Sequence, residues 1–303
     1  MREKISNLKS LTYIVIVGYL TILPNFTKAA DKEMQANDVS LSYVDVGQGK
    51  PVVFVHGAFS DLRVWEPQRQ AISEKHRFIA YTQRYFGNKQ WPDSSKKYSQ
   101  VTHSEDLAAF IRKLDTGPVY LVGRSYGATI ALRTALSNPD LVRGVIAQEP
   151  TIAFAVAMGN TDYKKILQKE RSGLKPAKKA AMEGDLTLAT QLFADWTNNQ
   201  TGGFDRLSDD LKRVHLENGH TIPLHFSAAK PPKVTCKDLS QLKMPIALTT
   251  GEFSRPFFKI LVQSAHDCIN GSELFEIPGA RHAATSQNPQ DFNQILLKFI
   301  AKH

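Results

Sequence analysis

Three polar side chains of this sequence could together carry out nucleophilic catalysis. Ser125 lies in the stretch Gly-Arg-Ser-Tyr-Gly, between a short apolar run and a run with helical spacing. A serine hydroxyl becomes a nucleophile when a base takes its proton, and an imidazole base needs a carboxylate that orients it. His282 follows the last predicted strand and is the candidate base, whereas Glu149 follows an earlier strand and is a candidate acid. The chemistry that such a set supports is acyl transfer.

The turn at Ser125 has small residues where a strained turn needs them. Gly123 and Gly127 would let neighbouring backbones approach a serine that stands between a strand and a helix. The helix that begins there would point the positive end of its dipole at the site. An ordinary tight turn is the alternative interpretation, and the context of a buried strand followed by a helix favours the nucleophile.

The elements that must position these residues alternate between strand and helix. Strands are predicted at 39–47, 51–57, 77–84, 119–123, 141–150, 244–251 and 272–279. Such alternation predicts a mostly parallel sheet that is covered on both faces, and sites in open sheets of this kind lie at the carboxyl ends of the strands. Ser104 is the predicted N-cap of the helix that follows the loop 86–100, and 223–233 is a predicted linker.

The chain divides into four predicted segments. Residues 1–30 have a basic start, an apolar stretch and small residues near Ala29 and Ala30, which is typical of a secretory signal. Residues 31–150 and 241–303 form the predicted core, and 151–240 form a helical cap inserted between them. We therefore expect an exported protein, periplasmic or secreted, and the alternative is an uncleaved segment that tethers the chain to a membrane.

The composition indicates which classes of binding partner to expect. The formal net charge is +9, but the basic residues are scattered and no aromatic-interleaved basic stripe indicates nucleic-acid binding. The segment 164–179 is rich in lysine, and it is either a solvated helical face or a surface that attracts anionic substrates or lipid head groups. The two cysteines, Cys236 and Cys268, permit one disulfide, and neither has ligand spacing for a metal.

Three stretches resemble the α/β-hydrolase superfamily, in its single-domain, capped form. They are VVFVHGAFSD, VGRSYGATIAL and IPGARHAATSQNPQDFN, and the resemblance covers about residues 38–302. It implies the α/β-hydrolase fold: a mostly parallel central sheet of about eight strands with helices on both faces and a helical cap. It implies neither a metal nor an organic cofactor.

The resemblance also implies roles for particular residues. Ser125 would be the nucleophile and His282 the base, and the backbone N–H groups of Tyr126 and Ala58 would form the oxyanion hole, with Phe59 as the alternative to Ala58. His56 in the same loop is expected to be structural.

The acid is where this chain departs from the common pattern of the superfamily. Many relatives have an Asp a few residues after the penultimate strand, at the position that Ser254 occupies here. A serine cannot stabilise an imidazolium as a carboxylate does. Glu149 is the favoured replacement, since some branches of the superfamily carry the acid there, and Glu252 is the alternative. A chain without a working triad is the third possibility.

The expected function is that of a carboxylesterase-like serine hydrolase acting on a small or medium acyl substrate under the cap. A serine at the nucleophile turn argues against dehalogenase and epoxide hydrolase chemistry, which use an aspartate there in this fold. Two alternatives share the motifs: a cofactor-free perhydrolase or C–C hydrolase, and a catalytically inactive binding protein. The sequence leaves the substrate and the oligomeric state open.

Overall fold

The central sheet holds eight strands within residues 32–91 and 95–303, which are the residues that the computed structural model describes. The strands are β1 (Lys32–Ala36), β2 (Val39–Val46), β3 (Pro51–Val55), β4 (Arg77–Tyr81), β5 (Val119–Arg124), β6 (Val142–Gln148), β7 (Ile246–Gly251) and β8 (Glu273–Ile277). Their spatial order is β1-β2-β4-β3-β5-β6-β7-β8. β1 and β2 pair antiparallel, as do β2 and β4, and all the other pairs are parallel. The predicted fold class is confirmed.

The helices flank this sheet and fill the long connection between β6 and β7. They are α1 (Glu66–Ser73), α2 (Gln100–Leu114), α3 (Tyr126–Ser137), α4 (Phe154–Ala157), α5 (Thr161–Ser172), α6 (Lys175–Met182), α7 (Leu186–Thr197), α8 (Asp209–Glu217), α9 (Thr221–Ser227), α10 (Cys236–Leu239), α11 (Pro256–His266), α12 (Ala284–Gln287) and α13 (Pro289–Lys302).

The central strands are buried on both faces, which explains their continuous apolar sequences. In β5, Leu121 packs into the cluster that α2, α3 and α11 cover, whereas Val122 packs into the cluster that α1 and α13 cover. Both side chains have no exposed surface. Burial of each such side chain contributes about 1.5–3 kcal/mol, so the middle of the sheet is a rigid platform for the residues at its carboxyl edge.

The helices between β6 and β7 have a core of their own. Leu167, Phe193 and Trp196 pack there against Phe257 and Phe258 of α11. This contact fixes the inserted helices over the first half of α11. The division of the chain at residues 151 and 240 into core and cap stays a prediction.

Two predictions about local structure are wrong. Ser99, not Ser104, caps α2: its hydroxyl accepts a hydrogen bond from the Thr102 N–H at 3.0 Å, whereas the Ser104 hydroxyl donates to the Val101 carbonyl inside the helix. The predicted linker 223–233 begins too early, because α9 continues to Ser227. The apolar residues of α9 explain this, since buried Ile222 and half-buried Phe226 both pack into the core of the inserted helices.

One disulfide joins α10 to the chain that follows α11. Cys236 and Cys268 are bonded, with their Cα atoms 5.0 Å apart and a sequence separation of 32. Closing a loop of this size contributes about 3–4 kcal/mol by the loop-entropy model.

The predicted signal at residues 1–30 lies outside the described residues. Within 32–91 and 95–303, none of the helices is both long enough and apolar enough to cross a membrane.

Candidate active site

Ser125 occupies a strained turn between β5 and α3. Its backbone has φ +54° and ψ −114°, outside the conformations that a serine ordinarily adopts. Its N–H donates to the Gln148 carbonyl at 2.7 Å, which holds the turn against the end of β6. A Cβ on Gly127 would stand 2.1 Å from the Val55 carbonyl oxygen, and one on Gly123 would stand 2.5 Å from the Ala128 Cα. Both glycines are therefore needed for the close approach that forces the serine outward.

His282 lies in the loop between β8 and α12, and two contacts fix it. Its ring stacks on Phe258 with a centroid distance of 3.8 Å and an interplanar angle of 16°. Its backbone carbonyl accepts a hydrogen bond from Nε2 of Gln148 at 3.0 Å. The side chain is buried, so its position is defined by packing rather than by solvent.

Glu149 is the carboxylate that contacts His282. It directly follows β6, has no exposed surface and has a positive φ of +46°. Its Oε2 accepts a short hydrogen bond from Nδ1 of His282. Its Oε1 accepts one from the Thr250 hydroxyl at 2.7 Å and one from the Gly251 N–H at 3.1 Å. Because its two oxygens accept these three hydrogen bonds, the buried carboxylate is fixed in place and holds the imidazole in one orientation.

The pKa values of Glu149 and His282 are both lowered from their ordinary values. Burial alone would raise the pKa of Glu149, but His282 and Thr250 outweigh it, and the net pKa is lowered. Burial lowers the pKa of His282, with smaller contributions from the charges of Arg124 and Arg255, and Glu149 opposes the shift. At neutral pH the pair is a carboxylate and a neutral imidazole, which is the form that a general base needs.

Glu252, the alternative acid, makes different contacts. Its carboxylate accepts a hydrogen bond from the Gly279 N–H at 2.8 Å, in an exposed turn. Ser254, at the position of the expected aspartate, is buried, and its hydroxyl oxygen has no hydrogen-bond partner among the described residues. The structure therefore brings Glu149 to His282 and leaves Glu252 at the surface.

The loop after β3 approaches the serine turn closely. A Cβ on Gly57 would lie 3.6 Å from Cβ of Ser125, so there is little more than the space of one methyl group between this loop and the turn. Ala58 and Phe59 follow, and the Phe59 carbonyl accepts a hydrogen bond from Nδ1 of His215 at 3.0 Å. Tyr126 is the first residue of α3, where a backbone N–H has no partner within its helix. These positions are consistent with the predicted oxyanion hole.

A direct hydrogen bond between Ser125 and His282 is not formed within the described residues. Gln148 connects them instead, because its carbonyl binds the Ser125 N–H and its side chain binds the His282 carbonyl. Catalytic hydrogen bonds are often long in the free enzyme and tighten when substrate binds. The sequence analysis missed Gln148. The available signal was a polar residue at the end of a buried strand, next to Glu149.

The structure gives His56 the structural role expected of it. Its Nδ1 bonds the Gly57 carbonyl at 2.8 Å and its Nε2 accepts from the Gln83 N–H at 3.0 Å. Burial lowers its pKa to about 4. His56 therefore shapes the loop that carries Ala58 and stays neutral.

Comparisons with known proteins agree with this architecture. A family model described as alpha/beta hydrolase fold matches residues 50–289. The 2-(acetamidomethylene)succinate hydrolase of Mesorhizobium japonicum is 25% identical over an alignment of 277 residues, which covers 86% of this chain and 92% of that protein. The (E)-2-((N-methylformamido)methylene)succinate hydrolase of Acinetobacter baylyi is 24% identical over 271 residues, covering 88% and 95%.

Solved structures show the same fold. The bromoperoxidase of Bacillus anthracis superposes with a TM-score of 0.72 at 21% identity, covering 90% of this chain and all of that one. The carboxylesterase CesB of Bacillus subtilis superposes with a TM-score of 0.72 at 17% identity, covering 91% and 93%. The family model spans most of the chain, and the sheet order and the turn at Ser125 fit it. This chain belongs to the α/β-hydrolase family and is a hydrolase by that membership.

Proposed function

We propose that this chain is a serine hydrolase that cleaves carboxylic esters through an acyl-enzyme on Ser125. The observation that carries the proposal is the buried contact between Glu149 and Nδ1 of His282, beside a serine in a strained turn. This contact supplies the carboxylate that Ser254 lacks. It argues against the catalytically inactive alternative, for which the missing aspartate was the reason.

In the proposed reaction, the Ser125 hydroxyl oxygen attacks the ester carbonyl carbon and its proton passes to Nε2 of His282. Glu149 holds the other ring nitrogen and stabilises the imidazolium. The N–H groups of Ala58 and Tyr126 would bind the negative oxygen of the tetrahedral intermediate. His282 then gives its proton to the leaving alcohol, and a water molecule attacks the acyl-enzyme by the same route.

Turnover of short-chain p-nitrophenyl esters tests this function. Ser125→Ala should lower kcat by at least several hundred-fold, because the triad acts as a unit. Equal rates in wild type and variant would overturn the proposal. An exposed serine such as Ser137 provides the matched control.

Amide cleavage is the second candidate, and one observation favours it. The two relatives at 24–25% identity are named as hydrolases of acylaminomethylene-succinates, and both are covered almost entirely by this chain. The same acyl-enzyme route serves both reactions. A panel of matched esters and anilides separates them. Perhydrolase and C–C bond hydrolysis remain the other outcomes of the substrate screen.

We also propose that the protein is exported. The basic and apolar start of the sequence supports this, as does the Cys236–Cys268 disulfide, because such bonds persist in oxidising compartments. Cell fractionation with N-terminal sequencing of the mature chain tests it. A full-length protein in the reducing cytosol would overturn the proposal, and a full-length chain in the membrane fraction would favour the tethered alternative.

A further inference from the structure

Arg124 precedes the proposed nucleophile and is a buried cation without a partner among the residues that the structure describes. It is the last residue of β5 and is 8% exposed. Within 32–91 and 95–303 its guanidinium makes neither a hydrogen bond nor an ion pair. By contrast, the similarly buried Arg84 binds Asp106 twice and Asp38 once. A guanidinium has five donors and stays charged, so burying it unpaired is costly unless something else binds it.

The side chain lies on a defined face of the sheet. Side chains alternate along a strand, so Arg124 shares a face with Val122, which belongs to the cluster covered by α1 and α13. Its neighbour in the parallel register is Gln148 of β6. Oε1 of Gln148 is buried and has no partner among the described residues, but a neutral amide oxygen cannot offset a full charge.

The chain places Arg124 beside the proposed catalytic groups. It directly precedes Ser125, and its register partner Gln148 binds the His282 carbonyl. In agreement with this position, the charge of Arg124 lowers the pKa of His282 and that of His215 in α8. Burial lowers the pKa of Arg124 itself to about 10, and the charge of Glu149 opposes this shift. Glu149 is already bound by His282, Thr250 and Gly251 and offers Arg124 no direct contact.

We propose that Arg124 binds a carboxylate group of the substrate, so that the enzyme acts on anionic acyl compounds. The assignment rests on the proposed hydrolase function of the same site. A planar guanidinium binds a carboxylate through two parallel hydrogen bonds, which a lysine cannot reproduce. The group would fix the substrate next to Ser125 and would reject neutral analogues.

Isosteric ester pairs test the proposal. Mono-p-nitrophenyl adipate carries a terminal carboxylate, and p-nitrophenyl 6-methylheptanoate carries an isopropyl group in its place. For wild type we expect kcat/KM to favour the anionic ester by about 30-fold or more, because a charge-assisted bidentate pair is a strong interaction. Arg124→Gln should bring this ratio close to one, and Arg124→Lys should leave an intermediate ratio.

The ratio of kcat/KM for the anionic ester to that for the neutral ester distinguishes carboxylate binding by Arg124 from a general effect of its charge on the catalytic groups. Removing Arg124 also changes the charge near His282, and that effect alters the rates of both esters alike. Arg143→Gln removes the same charge from an exposed position of β6 and is the matched control, with an unchanged ratio expected. A wild-type ratio near one, or a ratio that survives in Arg124→Gln, would overturn the proposal.

A binding measurement keeps this inference separate from the proposed function. Adipate at millimolar concentration should raise the Tm of Ser125→Ala, which cannot form an acyl-enzyme, and should not raise that of the double variant Ser125→Ala/Arg124→Gln. Failure of wild type to hydrolyse any ester would reject the hydrolase proposal, and the adipate measurement would still decide the role of Arg124. Equal Tm shifts in the two variants, or none in either, would contradict it.

Discussion

The turns after β6 and β7 each carry a glutamate, and the two side chains differ in what they bind. Glu149, after β6, is fully buried, and its carboxylate accepts hydrogen bonds from His282, Thr250 and Gly251. Glu252, after β7, lies in an exposed turn and binds the Gly279 N–H. The difference teaches that the place of an acid in the chain matters less than its place at the edge of the sheet. β6 and β7 are neighbours, so either strand end can supply a carboxylate to one imidazole.

The largest expected effect comes from Glu149→Gln. The amide keeps the shape of the side chain but cannot stabilise the imidazolium, so kcat should fall by about 10³- to 10⁴-fold. Glu252→Gln is the matched control and should stay within a few-fold of wild type. The comparison is measured as kcat on p-nitrophenyl esters, and the reverse ranking would reassign the acid to the turn after β7.

Moving the acid from β6 to β7 is the next test. Ser254 is buried beside Glu149, at the position where many relatives have an aspartate. Adding Ser254→Asp to Glu149→Gln should recover about 10- to 100-fold of the lost kcat, because the new carboxylate restores a charged partner for the imidazole. No recovery in a double variant that is folded by circular dichroism would show that the two strand ends are not interchangeable.

A smaller effect is expected from Thr250→Val. The Thr250 hydroxyl donates to Oε1 of Glu149 and helps to keep its pKa low. Its loss leaves that oxygen with the Gly251 N–H alone, and we expect kcat to fall about tenfold. Thr249→Val is a close control, because the Thr249 hydroxyl is buried without a partner in the described part of the chain. If both substitutions lowered kcat equally, the hydrogen bond to Glu149 would not be the cause.

The pH dependence of kcat/KM should follow the pKa of His282, which its surroundings lower. His282 must be neutral to act as base, and burial with nearby arginines lowers its pKa from 6.5. The acid limb of the kcat/KM profile of wild type should therefore be centred below pH 6.5. Glu149 opposes the lowering, so its loss should move the acid limb of Glu149→Gln to still lower pH. An acid limb centred above pH 6.5, or an upward shift in the variant, would contradict this assignment.

The sequence predicted those parts of the site that depend on local pattern. Ser125 and its glycines form one contiguous motif, and His282 follows a strand at a position that the fold makes significant. The sequence favoured Glu149 over Glu252 only through the resemblance to other branches of the superfamily, because both residues follow a strand and their neighbours in space were not known. In the structure it is Glu149 that contacts His282, whereas Glu252 binds the Gly279 N–H.

Two further residues escaped sequence analysis for a related reason. Gln148 and Arg124 each occupy the last position of a buried strand. The sequence around such a polar residue does not indicate which distant residue or ligand it contacts. Ser99 was missed as a cap because Ser104, five positions later, stands closer to the apolar stretch that begins at Leu107. In each case, the missing information was which segments become neighbours.

The central claim is that Ser125 is a nucleophile activated by the Glu149–His282 pair. The most direct measurement is labelling of folded protein with a fluorophosphonate, followed by mass spectrometry of the modified peptide. The account predicts rapid labelling of wild type at Ser125, slow labelling of Glu149→Gln and none at that position in Ser125→Ala. A folded wild-type protein that resists the reagent, or that is modified at another residue, would contradict it.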